Sequence, residues 1–143
     1  MPKDMPPVGI LIDSIYYLVN RTIAERLHEA GFTEIRPAHS KVFENLGGGR
    51  HVSELAEWAQ VTKQSMAELV EYLEKYEFVE RVPDPADRRA KIVRLTPRGH
   101  EAVAAAQSIL EEIYADWSRL LGPKRFANLQ RMLYEIVTRE NRG

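Results

Sequence analysis

Apolar residues recur at helical spacing over most of the chain and follow a β-prone pattern in only two short runs, which predicts a mainly α protein with a small β element. Residues 1–7 carry three prolines and read as a frayed arm. From about 8 to 30, Leu11, Ile12, Ile15, Leu18, Val19, Ile23 and Leu27 form a stripe wide enough to be buried on more than one side, and Gly31 supplies a C-terminal stop. After a connector over 32–36, Pro37 opens a second helix over about 38–46, ended by Gly47, Gly48 and Gly49. Ser53 is placed to cap a short helix whose apolar side is Leu55, Ala56 and Ala59. The chain turns at Gln60 and Val61, and Thr62 caps the next helix, where Met66, Leu69, Val70 and Leu73 share one face. The β-prone runs are 78–82 and 91–95. Thr96 then caps a long helix with Pro97 at its first position, where a missing N–H costs nothing. Along it Val103, Ala106, Leu110, Ile113, Trp117 and Leu120 step by three and four, a coiled-coil-like seam that runs to about 121. Gly122 and Pro123 break it, and a last helix carries Phe126, Leu129, Leu133 and Ile136 on one face.

The chemistry concentrates in residues 53–99. The helix over 62–76 is apolar behind and polar in front, where it presents Lys63, Gln64, Ser65, Glu68 and Glu71. A helix held from behind, with polar reach at its N-terminal end, is how a recognition helix enters the major groove. Gln64 suits adenine, Lys63 suits guanine or a phosphate, and Ser65 suits either base. Pro83 and Pro85 bar ladder pairing between the two β runs, so the segment 83–91 must project, with Asp87, Arg88 and Arg89 at its tip. From 79 to 98 six basic residues (Arg81, Arg88, Arg89, Lys91, Arg94, Arg98) face three acidic ones (Glu80, Asp84, Asp87), on a chain of net charge −1. A local basic wing on a nearly neutral protein suits contact with DNA backbone and minor groove. The order helix, turn, helix, hairpin is that of a winged helix-turn-helix.

The run from Leu55-Ala56 through Thr62-Lys63-Gln64 to PDPADRRAKIVRLTPRG at 83–99 resembles the MarR family of bacterial transcription regulators. The signature is Asp87-x-Arg89 followed, after five residues, by Leu95-Thr96-x-x-Gly99. The resemblance implies a winged helix-turn-helix lobe over 37–96 and a helical dimerisation lobe over 8–31 and 97–140, within a single domain spanning 1–143. It implies double-stranded DNA as partner, a homodimer, a pseudo-palindromic operator and most often repression. It makes Arg89 the wing arginine that enters the minor groove, with Asp87 orienting its guanidinium, while Arg88 reaches a phosphate. It also implies a pocket between the lobes, where Tyr16, Tyr17, Arg21, His39 and Phe43 suit a small aromatic or phenolic anion, with Arg21 or a protonated His39 meeting its charge. One residue departs from the pattern. Glu77 stands where the family usually has Gly, and since Glu at a left-handed cap is strained, the recognition helix is expected to end differently there.

Composition closes several other routes. The chain has no cysteine, which excludes disulfides and thiol-based sensing. No apolar run of roughly 18 residues and no signal-peptide pattern is present, so a cytoplasmic protein without membrane contact is expected. His28, His39, His51 and His100 are too scattered for a metal motif. No nucleophile–base pair or catalytic carboxylate motif stands out, and LGGGR at 46–50 lacks the Lys-Ser/Thr of a phosphate-binding loop and reads as a linker. Trp58 and Trp117 read as core or interface anchors. Neither an enzyme nor a cofactor is expected. Two alternatives remain beside the DNA-binding regulator: a winged-helix module that binds protein, to which Glu68, Glu71 and Glu74 give weight, and a small-ligand-binding helical protein.

Overall fold

The computed structural model describes residues 3–142, so Met1 and Pro2 of the expected N-terminal arm lie outside the described residues. Helix α1 (Val8–Glu29) is followed by a 3₁₀ turn (Pro37–His39) that runs into α2 (Ser40–Phe43). Helices α3 (Val52–Ala59) and α4 (Lys63–Lys75) form the helix-turn-helix, and strands β1 (Val79–Pro83) and β2 (Lys91–Leu95) form an antiparallel hairpin. Helix α5 (Pro97–Leu121) and helix α6 (Pro123–Glu140) complete the chain. Two compact units divide within α5, between Gln107 and Ser108. No helix among the described residues is long and apolar enough to cross a membrane.

The core of the first unit is built from Val42 and Leu46, Leu55 of α3, Met66, Val70 and Leu73 of α4, and Phe78, Val79 and Val93 around the hairpin, all fully buried. Met66, Val70 and Leu73 fall at four- and three-residue steps, so a single stripe of α4 seats it on this core and its other face stays in solvent. Helix α1 joins the core only through its C-terminal half, where Asn20, Ala24 and Leu27 are buried. The broad burial expected for α1 is therefore not made within one chain: Val8, Ile10, Leu11, Ile12, Ile15 and Leu18 are all exposed.

Local capping explains most element boundaries. The Thr62 hydroxyl accepts the Ser65 N–H at 3.0 Å and starts α4 as expected. Ser53, by contrast, does not cap α3. The helix begins at Val52 with His51 as N-cap, because Glu54 reaches back to accept the His51 N–H at 3.1 Å and draws the start two residues forward. The expected departure at Glu77 is also absent. Glu77 takes the left-handed conformation (φ 64°), and the Phe78 N–H turns back to the Leu73 carbonyl at 2.9 Å, closing α4 as a glycine would. Pro83 does not stop the hairpin either, since as the last residue of β1, opposite Lys91, it owes the ladder no N–H. The glycine-rich stretch read as a linker contributes a third, one-residue rung: Arg50 donates to Val93 at 3.0 Å and accepts from it at 2.7 Å. Gly49 (φ 138°) makes that approach feasible, since a Cβ there would lie 2.9 Å from Ile92 Cδ1.

At the hairpin's other end α5 crosses β1 at backbone contact. A Cβ on Gly99 would lie 2.0 Å from the Phe78 carbonyl oxygen. Thr96 caps α5 by accepting the Gly99 N–H at 3.0 Å, while its own N–H donates to the same Phe78 oxygen at 3.1 Å.

The second unit joins the rest of α5 to α6 through Gly122 (φ 86°) and Pro123. Tyr114, Trp117 and Phe126 meet there with ring centroids 5.6–6.4 Å apart, so Trp117 is an anchor as expected. The α5 seam does not extend to its end: Leu120 is 79 % exposed, and α6 has no buried residue.

Two substitutions test this frame. Gly99→Ala should cost at least about 2–3 kcal/mol, since the clash is with backbone that cannot rotate away. Glu77→Gly should stabilise by about 0.5–1 kcal/mol, the relief of left-handed strain exceeding the greater freedom of an unfolded glycine. Urea unfolding of both variants beside the parent checks the opposite signs.

Candidate DNA-binding surface

The solvent face of α4 begins at its capped N-terminus. Lys63 and Gln64 are exposed and make no hydrogen bond or ion pair among the described residues. Ser65 lies beside them with its hydroxyl held by Thr62 at 2.8 Å. Glu68 follows one turn after Gln64, also exposed. The first turn of α4 thus offers a cation, an amide and a hydroxyl on one accessible edge.

The wing is an ordered loop. Asp84 N–H donates to the Ala90 carbonyl at 3.0 Å, Asp87 N–H to the Asp84 carbonyl at 3.2 Å, and Ala90 N–H to the Asp87 carbonyl at 3.0 Å. The Asp84 carboxylate accepts the Ala86 N–H at 2.9 Å through Oδ1 and the His51 ring through Oδ2 at 2.7 Å. Those bonds, the Ala86 N–H first and His51 second, hold Asp84 below the usual carboxylate range. Neither His51 nor Asp84 was singled out as functional from the sequence. A histidine three residues before a helix-capping Glu was the local signal, but its partner lies 33 positions away.

Asp87 acts differently from the expectation. Its Oδ1 accepts the backbone N–H of Arg89 at 3.1 Å, whereas the Arg89 guanidinium is 3.9 Å away and its side chain is 98 % exposed. Asp87 therefore shapes the turn and leaves the guanidinium free to reach outward; an exposed pair at that distance is worth little.

The basic surplus also divides. Arg94 pairs with Glu80 across the hairpin at 2.8 Å, and Arg81 lies 3.6 Å from Glu74 at the end of α4. Arg98 donates to the Tyr76 carbonyl and to Glu34 Oε2 at 3.0 Å, with its guanidinium 4.2 Å from the centre of the Phe78 ring. These three belong to the scaffold. Arg88 and Arg89 at the tip and Lys91 at the start of β2 are left exposed, and Arg88 and Lys91 have no ion-pair partner among the described residues.

The residues suggested for an effector separate into two environments. Tyr16 donates its hydroxyl to the Glu44 carboxylate at 3.1 Å, and Tyr17, exposed, lies under the Arg21 guanidinium at 5.8 Å. Arg21 also pairs with Glu25 at 3.6 Å. Phe43 is half-buried at the end of α2. His39 is only 4 % exposed, stacks on Tyr72 with ring centroids 4.7 Å apart, and accepts the Arg36 N–H at Nδ1 at 2.9 Å. Burial, with the Arg36 charge adding to it, lowers its pKa to about 4. The protonated His39 expected to meet an anionic ligand is therefore absent at neutral pH, because its site rejects the charge. Trp58, expected as a core or interface anchor, is 70 % exposed on α3 and so does not anchor the core, since the helix turns Leu55 and Ala56 inward instead.

Residues 41–99 match the winged helix DNA-binding domain family. Over 59 residues the chain is 41 % identical to YdcH of Bacillus subtilis (strain 168), an uncharacterized HTH-type transcriptional regulator; the match covers 41 % of this chain and 40 % of that protein. Among solved structures, the reduced form of MarR from E. coli superposes with a TM-score of 0.79 at 22 % identity, covering 94 % of this chain and 98 % of that one. A second MarR structure gives 0.78 at 25 % identity, over 99 % and 95 %. A mutant E. coli MarR complexed with operator DNA gives 0.71 at 22 % identity, over 91 % and 93 %.

The state of His39 has a measurable consequence. Its folded pKa of about 4 lies below the unfolded value of 6.5, so between those limits the unfolded chain binds a proton that the folded chain refuses. Stability should fall as pH falls through that window, by up to about 3 kcal/mol. Urea unfolding at about pH 7 and about pH 4.5 should show a shallower loss for His39→Gln than for the parent. Equal losses would mean that the ring proton is not linked to folding.

Proposed function

We propose that the chain is a winged-helix DNA-binding regulator of the MarR type, acting as a homodimeric, ligand-responsive repressor of a pseudo-palindromic operator. The N-terminal turn of α4 would enter the major groove with Thr62, Lys63, Gln64, Ser65 and Glu68, and the wing would enter the flanking minor groove with Asp87, Arg88, Arg89 and Lys91. One observation carries the reading. Of six basic residues between 79 and 98, Arg81, Arg94 and Arg98 lie against carboxylates of the scaffold, whereas Arg88 and Arg89 at the wing tip and Lys91 at the start of β2 stay exposed, Arg89 with only Asp87 at 3.9 Å. Uncompensated arginines on a turn held by its own hydrogen bonds suit a narrow, electronegative groove.

A second copy of the chain is the natural cover for its exposed apolar faces. Helix α1 leaves Val8, Ile12, Ile15 and Leu18 in solvent, and α6 leaves Met132, Leu133, Ile136 and Val137. Buried side chains of this size contribute about 1.5–3 kcal/mol each. We assign residues 8–31 and 97–140 to this dimerisation region and 37–96 to the DNA-binding region. Two-fold symmetry places the two α4 helices about one helical turn of DNA apart. An aromatic or phenolic anion held by Tyr16, Tyr17, Arg21 and Phe43 would regulate by favouring one separation of those helices.

Light scattering at about micromolar concentration should give twice the 16.4 kDa chain mass, whereas a monomer would remove the dimer. Anisotropy of a labelled duplex from immediately upstream of the coding region tests the DNA reading. Affinity should fall by about 10³ or more between about 50 and about 200 mM salt. Arg89→Ala should weaken binding at least about tenfold, or about 1.4 kcal/mol, with an unchanged melting temperature. Binding that ignores salt would favour a protein-docking role for the acidic flank of α4, Glu68 and Glu71.

A further inference from the structure

The two strands of the wing are fastened to the body by neighbouring residues, in two different ways. Strand β2 is held through backbone: Arg50 exchanges both of its hydrogen bonds with Val93. The end of β1 is held through side chains: the next residue in the chain, His51, places its ring Nε2 2.7 Å from Oδ2 of Asp84, the residue that follows Pro83. His51 is itself fixed as the N-cap of α3, with Glu54 accepting its N–H at 3.1 Å and lying 3.7 Å from its Nδ1. Helix α3 packs on α4. The chain His51–Asp84 therefore connects the recognition helix to the loop that carries Arg88 and Arg89.

We infer that His51 is the positioning residue of the wing, setting through Asp84 the angle at which Arg89 meets the minor groove. The inference rests on the DNA-binding reading above. Asp84 divides its two oxygens: Oδ1 organises the loop through the Ala86 N–H, and Oδ2 faces His51. The loop keeps its shape from its own bonds between Asp84, Asp87 and Ala90. What the ring adds is attachment of that preformed loop to α3. The His51 side chain is 35 % exposed, so the contact adds little to global stability. A two-stranded hairpin twists readily when unsupported. A small rotation at its base is magnified at the tip, and groove contacts are sensitive to displacements of an ångström.

The test is a set of duplex titrations at low salt with the parent, His51→Ala, His51→Gln, Arg89→Ala and the double variant H51A/R89A. His51→Ala should weaken binding about five- to tenfold, and His51→Gln, which keeps an N–H near the position of Nε2, should restore it to within about twofold. In the Arg89→Ala background the loss from His51→Ala should shrink to less than about twofold, because the tether acts through that arginine. A merely structural histidine would give the same loss in both backgrounds, and that result overturns the inference. So does unchanged affinity of His51→Ala beside a parent that binds. If the parent binds no duplex, the DNA reading itself fails, and trypsin decides the tether without DNA. Cleavage at Arg88 and Arg89 should then be faster in His51→Ala than in the parent and in His51→Gln, and equal rates would dismiss it.

Discussion

The C-terminal end of α4 is fixed at the place where α5 crosses the start of β1 with no room for a side chain. Gly99 permits the crossing. Its consequence is that three consecutive carbonyls leaving α4 are all taken by the leading residues of α5. Arg98 takes Tyr76, the Thr96 hydroxyl takes Glu77, and the Thr96 N–H takes Phe78. A helix C-terminus ordinarily leaves such groups to water or to its own glycine cap. Here α4 closes its own last carbonyls through the left-handed Glu77, and the residues that open α5 take the carbonyls that follow, bringing a guanidinium to the negative end of the α4 dipole. That guanidinium also covers Phe78 and bonds Glu34, whose backbone carbonyl accepts the Tyr72 hydroxyl at 2.8 Å. The far end of the recognition helix is thus fixed by residues that have no contact with its solvent face.

This arrangement separates charge tied into the scaffold from charge left free. Arg81, Arg94 and Arg98 are chemically the same as Arg88 and Arg89, and in the sequence they form one basic cluster. In the fold each of the first three lies near a carboxylate, Glu74, Glu80 or Glu34. Arg89 has only a carboxylate at 3.9 Å that is already engaged with the backbone. Net charge over the segment therefore overstates the field at the wing, and exposure without a close partner is the better guide to which cations are free to meet an anion.

The sequence revealed whatever is decided within a few residues. The Thr62 cap, the Pro97 start, the Gly122-Pro123 break and the α4 stripe are local, and each stands in the structure as the pattern predicts. Where a distant partner decides, the local pattern misled. Glu77 looks unfit for a left-handed cap, yet the bonds from Thr96 and the burial of Phe78 hold it there. Ser53 is a better cap by type than His51, but His51 is pinned by the Arg50 rung on one side and Asp84 on the other. The charge state of His39 follows first from its burial, which is not visible in the residues beside it, and then from the nearby Arg36 charge. The Asp87–Arg89 signature was legible as a motif, while its division of labour, carboxylate to backbone and guanidinium outward, was not.

The exposed apolar helices follow from the same logic of what one chain can satisfy alone. The first unit closes its core with the C-terminal half of α1, and the aromatic cluster of Tyr114, Trp117 and Phe126 joins α5 to α6 in the second. What remains outside is concentrated on the N-terminal half of α1 and the C-terminal half of α6, with Trp58 and Leu120 exposed apart from them. Isolated exposed leucines are ordinary, whereas a concentration of this kind is what the proposed association would cover. A self-complementary patch closes under a two-fold axis, and a DNA duplex offers the matching symmetry. Association at these helices would fix the spacing of two recognition elements already held rigid within each chain, so that a shift between helices, and no rearrangement of the DNA-facing residues, would suffice to change affinity.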